Sequence, residues 1–120
     1  MKRGWNALLQ EILKFRDQRD WKQFHTPKNL AAAIAIEAAE LQEHFLWKSD
    51  TEVLAVLRNP EKRDKVNEEL ADVLIFTLLL ADRLGVDIDA VVRRKLKNNA
   101  KKYPVEKARG NHKKYTELSE

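Results

Sequence analysis

Two stretches limit what this chain can fold into. AIAIEAAELQEHFLW (residues 33–47) and NEELADVLIFTLLLAD (residues 67–82) both read as helix, and in both a pair of acids interrupts the apolar side. Residues three apart are neighbours on one helix face, so Glu37 lies beside Glu40 and Glu69 beside Asp72. One turn from Glu37 stand Ala33, Ile34 and Leu41, and one turn from Asp72 stand Ile75 and Phe76. The carboxylates therefore fall where a core is expected. Unpaired and away from water, each would cost several kcal/mol or be forced to take up a proton.

A divalent cation is the economical partner for such a set. Its donors are hard oxygens, the chain has no cysteine, and no histidine occupies the repeating positions. That favours Mg²⁺, with Mn²⁺ as a substitute, over Zn²⁺. The competing reading puts both pairs on solvated helix rims, as most helix charges are. Glu43, Glu68 and Asp82 have more polar neighbours and read as surface residues.

The rest of the chain supplies the scaffold. Its 120 residues suit one domain, and three Gly and three Pro are too few for the turns of an all-β fold. Apolar periodicity predicts a first helix over about 3–19. Thr26-Pro27 is a cap and first-turn pair that opens a second helix reaching about Trp47. A connector follows, with one short helix after Ser49 or Asp50. Asn59-Pro60 repeats the cap signal and opens a long helix that Gly85 ends. Asp87 caps a last helix through about Lys102, stopped by Pro104. The expectation is an all-α, antiparallel four-helix bundle over residues 1–104, followed by a basic C-terminal tail over 105–120.

Charge and hydropathy narrow the partners. The N-terminal MKRGWNALLQ lacks the apolar core of a signal peptide, and the run Val73 to Ala81 is half a membrane span. A soluble, cytoplasmic protein without a membrane partner is expected. The net charge of +4 is concentrated late: residues 93–114 hold ten Lys or Arg against one acid, Glu106. Such a segment attracts phosphates, nucleic acid or an acidic partner, or is simply a solvated face.

The spacing ExxE, 28 residues, ExxD resembles the signature of the all-α nucleoside triphosphate pyrophosphohydrolases, the MazG-like superfamily. RDWKQFHTPKNL, EAAELQEHFLW, EELADVLIF, KLKNNAKKYPVEKARG and KKYTEL together look like its dCTP pyrophosphatase branch, over roughly residues 16–118. The resemblance implies a hydrolase that cleaves the α–β phosphoanhydride of dCTP or a related, modified dNTP to the monophosphate and pyrophosphate. It implies that Glu37, Glu40, Glu69 and Asp72 hold the metal, with Glu40 orienting or deprotonating the attacking water. Trp21 and Trp47 are similar to the aromatics that sandwich the base, and His25 to a substrate-side histidine. Lys95 and Asn99 match polar positions of the family, with Lys102 and Tyr103 beside them. Lys114 and Tyr115 resemble a segment that closes over the site. Phe76 departs from the pattern, standing where this branch often has a tyrosine, which puts sugar and base selectivity in doubt.

The resemblance also implies a dimer, or a homotetramer built from two dimers. VLIFTLLLA, apolar nearly all round, fits burial by a second chain. Several rivals explain less. A di-iron carboxylate bundle requires Glu-x-x-His pairs, whereas His44 follows Glu40 by four. A nucleic-acid-binding bundle could use residues 93–114 but leaves the inward acids without a purpose, so nucleic acid is not the expected partner. A metal-free scaffold explains only the helices. Within the enzyme class the alternatives are a broad-specificity house-cleaning pyrophosphatase and phosphoribosyl-ATP hydrolysis.

Overall fold

The side-chain caps read from the sequence set where most helices begin. In the computed structural model, which describes residues 4–118, the order is α1 Trp5–Gln18, α2 Pro27–Glu43, α3 Asp50–Arg58, α4 Pro60–Arg83, α5 Ile88–Lys102 and α6 Val105–Ala108, then a 3₁₀ turn Tyr115–Glu117. No strand occurs among the described residues, so the fold is all-α. Thr26 accepts from the Asn29 backbone N–H at 3.2 Å, and Asn59 from that of Lys62 at 3.0 Å. Ser49 and Glu52 form a reciprocal capping box at the start of α3. Such caps contribute about 1 kcal/mol each.

At its far end α4 closes in a Schellman motif. Val86 N–H donates to Ala81 C=O and Gly85 N–H to Asp82 C=O, with Gly85 at φ +66°. Only a residue without Cβ takes that conformation freely, so Gly85 is what stops the helix.

The second helix is shorter than its periodicity predicts. It ends at Glu43, and residues 44–47 form a tight turn held by i→i−3 bonds from His44, Phe45 and Leu46. Trp47 then takes φ +62°, a left-handed conformation that an α-helix cannot continue through.

Packing divides the chain into two units, one ending at Val86 and one beginning at Asp87. In the first, α4 touches α1, α2 and α3, and most extensively α2. Leu30 of α2 and Leu78 of α4 are the best-buried large side chains, at 1% exposure. Each contributes about 1.5–3 kcal/mol by leaving water. Ile12, Val56, Val66, Leu79 and Ala81 complete this core. The second unit holds α5, α6 and the 3₁₀ turn, and none of these elements buries a residue fully.

One buried charge ties α1 to α4. Arg16 is 4% exposed, and its guanidinium donates to Asp17 at 2.8 Å and to Asp82 at 3.1 Å. Asp82 is thus a half-buried partner rather than the surface acid its neighbours in sequence suggest. Removing one side of a buried pair leaves an uncompensated charge, which explains why the two occur together.

Candidate metal and nucleotide site

The packed side of α2 runs through Leu30, Ala33, Ile34, Glu37 and Leu41 and continues to Phe45 in the turn that follows, all buried or half-buried. Glu37 therefore lies on the stripe that meets α4. On α4, Val66 is buried and Glu69, Asp72, Val73 and Phe76 are half-buried. Two helices that pack through these stripes bring acids spaced for one helix face against acids of the other. Glu37, Glu40 and Glu69 each offer a carboxylate oxygen, and the three atoms lie within 4.8 Å of one another.

The carboxylates of this cluster act strongly on one another. Glu37 Oε2 is buried without a hydrogen-bond partner. Burial, the nearness of Glu40, the charge of Asp72 and the Glu69 carboxylate push Glu37 up to about 7. Glu69 is also raised, first by burial and then by Glu40, while Glu37 and His44 act the other way. Asp72 lies outside the three-oxygen group, and its charge reaches Glu37. Among the described residues no Lys or Arg forms an ion pair with these glutamates. An orphaned buried oxygen in an all-carboxylate set with no Lys or Arg partner among the described residues fits a hard divalent ion.

The loop between α1 and α2 collects aromatic and basic groups. Trp21 N–H donates to Arg16 C=O at 3.1 Å, so the end of α1 directs the loop. The Trp21 ring meets Phe15 edge-on at 5.8 Å and His25 at 6.4 Å. Arg19 covers the other ring of this group, Phe15, at 3.7 Å. His25 Nδ1 is buried and unpartnered. Burial, followed by the charges of Arg16 and Arg83, holds the imidazole below its ordinary pKa and hence neutral near pH 7. Trp21 is 43% exposed and Trp47 is 92% exposed. A large apolar ring left in water on a left-handed backbone is costly twice over, in hydration and in backbone strain.

In the second unit the predicted residues form a smaller group. The Tyr103 and Tyr115 rings meet edge-on at 6.1 Å, and Lys102 Nζ stands 4.7 Å over Tyr115. Lys114 immediately precedes the 3₁₀ turn. Lys95 is exposed and Asn99 half-buried on α5.

Two side chains were not singled out by the sequence patterns. Arg16 reads as an ordinary late-helix basic residue, and only the pairing of α1 with α4 shows it to be buried. His44 lies 3.8 Å from Glu69, Nε2 to Oε1, across the α2–α4 contact. Its spacing of four from Glu40 is the sequence signal that could have found it.

Comparison with known proteins places these residues in a family context. A model of the MazG-like family matches residues 32–118. The chain is 46% identical to dCTP pyrophosphatase 1 of Mus musculus and 44% identical to dCTP pyrophosphatase 1 of Homo sapiens, in each case over 105 residues. Those residues are 88% of this chain and 62% of each relative, so the chain spans less than two thirds of their length. The crystal structure of a pyrophosphatase from Archaeoglobus fulgidus is similar at a TM-score of 0.78 and 43% identity, covering 87% of this chain and 95% of that one.

Proposed function

The chain belongs to the MazG-like family, and from that premise we propose that it is a Mg²⁺-dependent nucleoside triphosphate pyrophosphohydrolase. Its substrate in this reading is dCTP or a related, modified dNTP, cleaved between the α- and β-phosphates. The observation that carries the reading is the meeting of Glu37, Glu40 and Glu69 around a buried, unpartnered Glu37 oxygen. The similarity to two dCTP pyrophosphatases supports the choice of base.

Glu37, Glu40, Glu69 and Asp72 would hold the cation, and Mn²⁺ could replace Mg²⁺. When bound, such an ion neutralises triphosphate charge and lowers the pKa of coordinated water. Glu40 would orient or deprotonate the attacking water, the role that the family resemblance gives to this position. Trp21 and Trp47 stack on the base, and a neutral His25 reads the substrate by a hydrogen bond rather than by charge. Phe76 lines the sugar, where its lack of a hydroxyl weakens discrimination between deoxyribose and ribose. The resemblance assigns Lys95, Asn99, Lys102, Tyr103, Lys114 and Tyr115 to the substrate, with Lys114 and Tyr115 on the closing segment of this or a neighbouring copy. In this reading residues 1–104 are the catalytic domain and 105–120 the closing tail.

Oligomerisation belongs to the same proposal. Leu70 and Leu74 of α4 are exposed, at 57% and 38%, and with Asn67, Ala71, Val73 and Thr77 line an apolar groove. A second copy of the chain would cover it, so that antiparallel four-helix bundles, one per chain, assemble into a homotetramer of two dimers. No described helix is long and apolar enough to cross a membrane, and a cytoplasmic setting fits the reading.

Pyrophosphate release across the common dNTPs and NTPs, with Mg²⁺ and then with EDTA, tests it. Metal-dependent release that is strongest with dCTP is expected. Comparable release from many substrates would favour the broad house-cleaning reading, which Phe76 specifically motivates. No release from any common or modified nucleotide would overturn the enzymatic reading.

A further inference from the structure

His44 is the one side chain among the described residues that pairs with the acid cluster from outside it. Its Nε2 lies 3.8 Å from Glu69 Oε1, and both side chains are about three-quarters buried, with 25% and 23% exposure. The contact crosses from the end of α2 to the middle of α4, so packing and not a shared helix face brings the two together. His44 follows Glu40 by one turn on the same stripe, immediately beyond Glu43, the last residue of α2. Its backbone N–H closes the helix end by donating to Leu41 C=O. That closure requires no imidazole, so the side chain is available for another task.

The acids themselves define that task. Three carboxylates within 4.8 Å of one another repel, and each has two oxygens that can turn away from a shared cation. A donor on the outer side of one carboxylate fixes which oxygen faces inward. Among the described residues no Lys or Arg pairs with Glu69, and His44 is the donor that stands 3.8 Å from one of its oxygens. At 3.8 Å the pair is longer than a direct hydrogen bond, and sub-ångström movement or one water closes it. A neutral imidazole suffices, because Nε2–H donates in one of its two tautomers.

We propose that His44 is the positioning residue for Glu69, acting from outside the coordination sphere and setting how tightly Glu37, Glu40 and Glu69 hold a divalent cation. The inference rests on the metal-site reading above. Partners of this kind commonly change metal affinity 10- to 100-fold when removed, because a freely rotating carboxylate must be ordered at each binding event.

Titration of the protein with Mn²⁺, followed through the EPR signal of free Mn²⁺, separates the two ideas. The wild type should bind saturably and Glu40→Gln should lose that binding. His44→Phe, which keeps bulk but donates nothing, should bind with unchanged stoichiometry and about 10- to 100-fold more weakly. His44→Gln, which retains a donor, should recover most of the affinity, a recovery a purely structural role would not give. Should His44→Phe fold poorly, His44→Leu replaces it, with metal-free thermal unfolding as the control. Equal affinity in the wild type and the donor-free variants would overturn the inference and leave the metal site standing. Pulsed EPR showing a directly bound ¹⁴N on Mn²⁺ would also overturn it, because His44 would then be a ligand. Absence of saturable binding in the wild type would remove the metal reading and this inference with it.

Discussion

The stretch around α2 and α4 and the stretch from Asp87 onward are both helical, but they are held in different ways. The first has a core of its own, with Leu30, Leu78 and Leu79 at 3% exposure or less. In the second, α5 buries no residue, and Val92 and Leu96 of its apolar stripe are 48% and 61% exposed. Acids in the first stretch are fixed by the packing of the chain on itself. The polar residues of the second are fixed mainly by their helix and by one group of rings. An interior rigid enough to hold carboxylates together is therefore a property of one region only, while the other presents an amphipathic face with its apolar side unfilled.

The contrast should be widest in turnover. Asp72→Asn or Glu40→Gln is expected to lower kcat by about 10³-fold or more while leaving a folded protein, because transition-state charge stabilisation worth several kcal/mol goes with the site. Asn99→Ala, on α5, should act chiefly on KM, by about tenfold. Steady-state pyrophosphate release measures both. Wild-type turnover by Asp72→Asn would sink the metal-site reading.

Stability should divide the same way. Leu78→Ala should cost about 2–5 kcal/mol in denaturant unfolding, whereas Leu96→Ala should stay within about 0.5 kcal/mol for a monomer. A large cost for Leu96→Ala at high protein concentration that disappears on dilution would mean that a second copy covers α5.

The raised carboxyl in the cluster gives a smaller, pH-dependent effect. Glu37 titrates near 7 in the fold against an ordinary 4.5. Below pH 4.5 it is protonated folded or unfolded, and its preference for the fold is fully present. Between about 4.5 and 7 the unfolded chain ionises first, so this contribution is lost as pH rises. Metal-free protein should therefore lose a few degrees of Tm across that window, by about the amount that 1 kcal/mol represents for a domain of this size. Glu37→Gln should remove this slope, and saturating Mg²⁺ should flatten it. A Tm in the metal-free wild type that rises steadily from pH 5 to 7.5 would contradict the assignment.

Trp47 should give a change of the opposite sign. Trp47→Gly relieves a left-handed non-glycine backbone and should raise stability by about 1 kcal/mol, while raising KM. A thermal melt paired with a substrate titration checks both. Loss of stability would mean that the ring packs against something after all.

Local chemistry made most of the helix starts legible. Thr26-Pro27, Ser49, Asn59-Pro60 and Asp87 satisfy their own helix ends, and Gly85 stops α4, all through groups within a few residues of one another. The same short range explains why apolar periodicity places the end of α2 too late. The apolar period continues to Trp47, but the chain turns at His44, and nothing in a helical period reports a left-handed residue beyond it.

What the sequence determined by itself is the all-α character of the chain and the side of each helix on which its acids stand, because caps and the 3.6-residue repeat act within one element. Which acids meet was decided only when α2 packed on α4. That packing set Glu37, Glu40 and Glu69 within 4.8 Å, left Asp72 acting at longer range, and drew in His44. The docking of α1 likewise buried Arg16 against Asp82, 66 residues away. Contacts between elements depend on the angle and offset at which two apolar stripes interlock, and that information is spread over every side chain in both stripes rather than written at any one position.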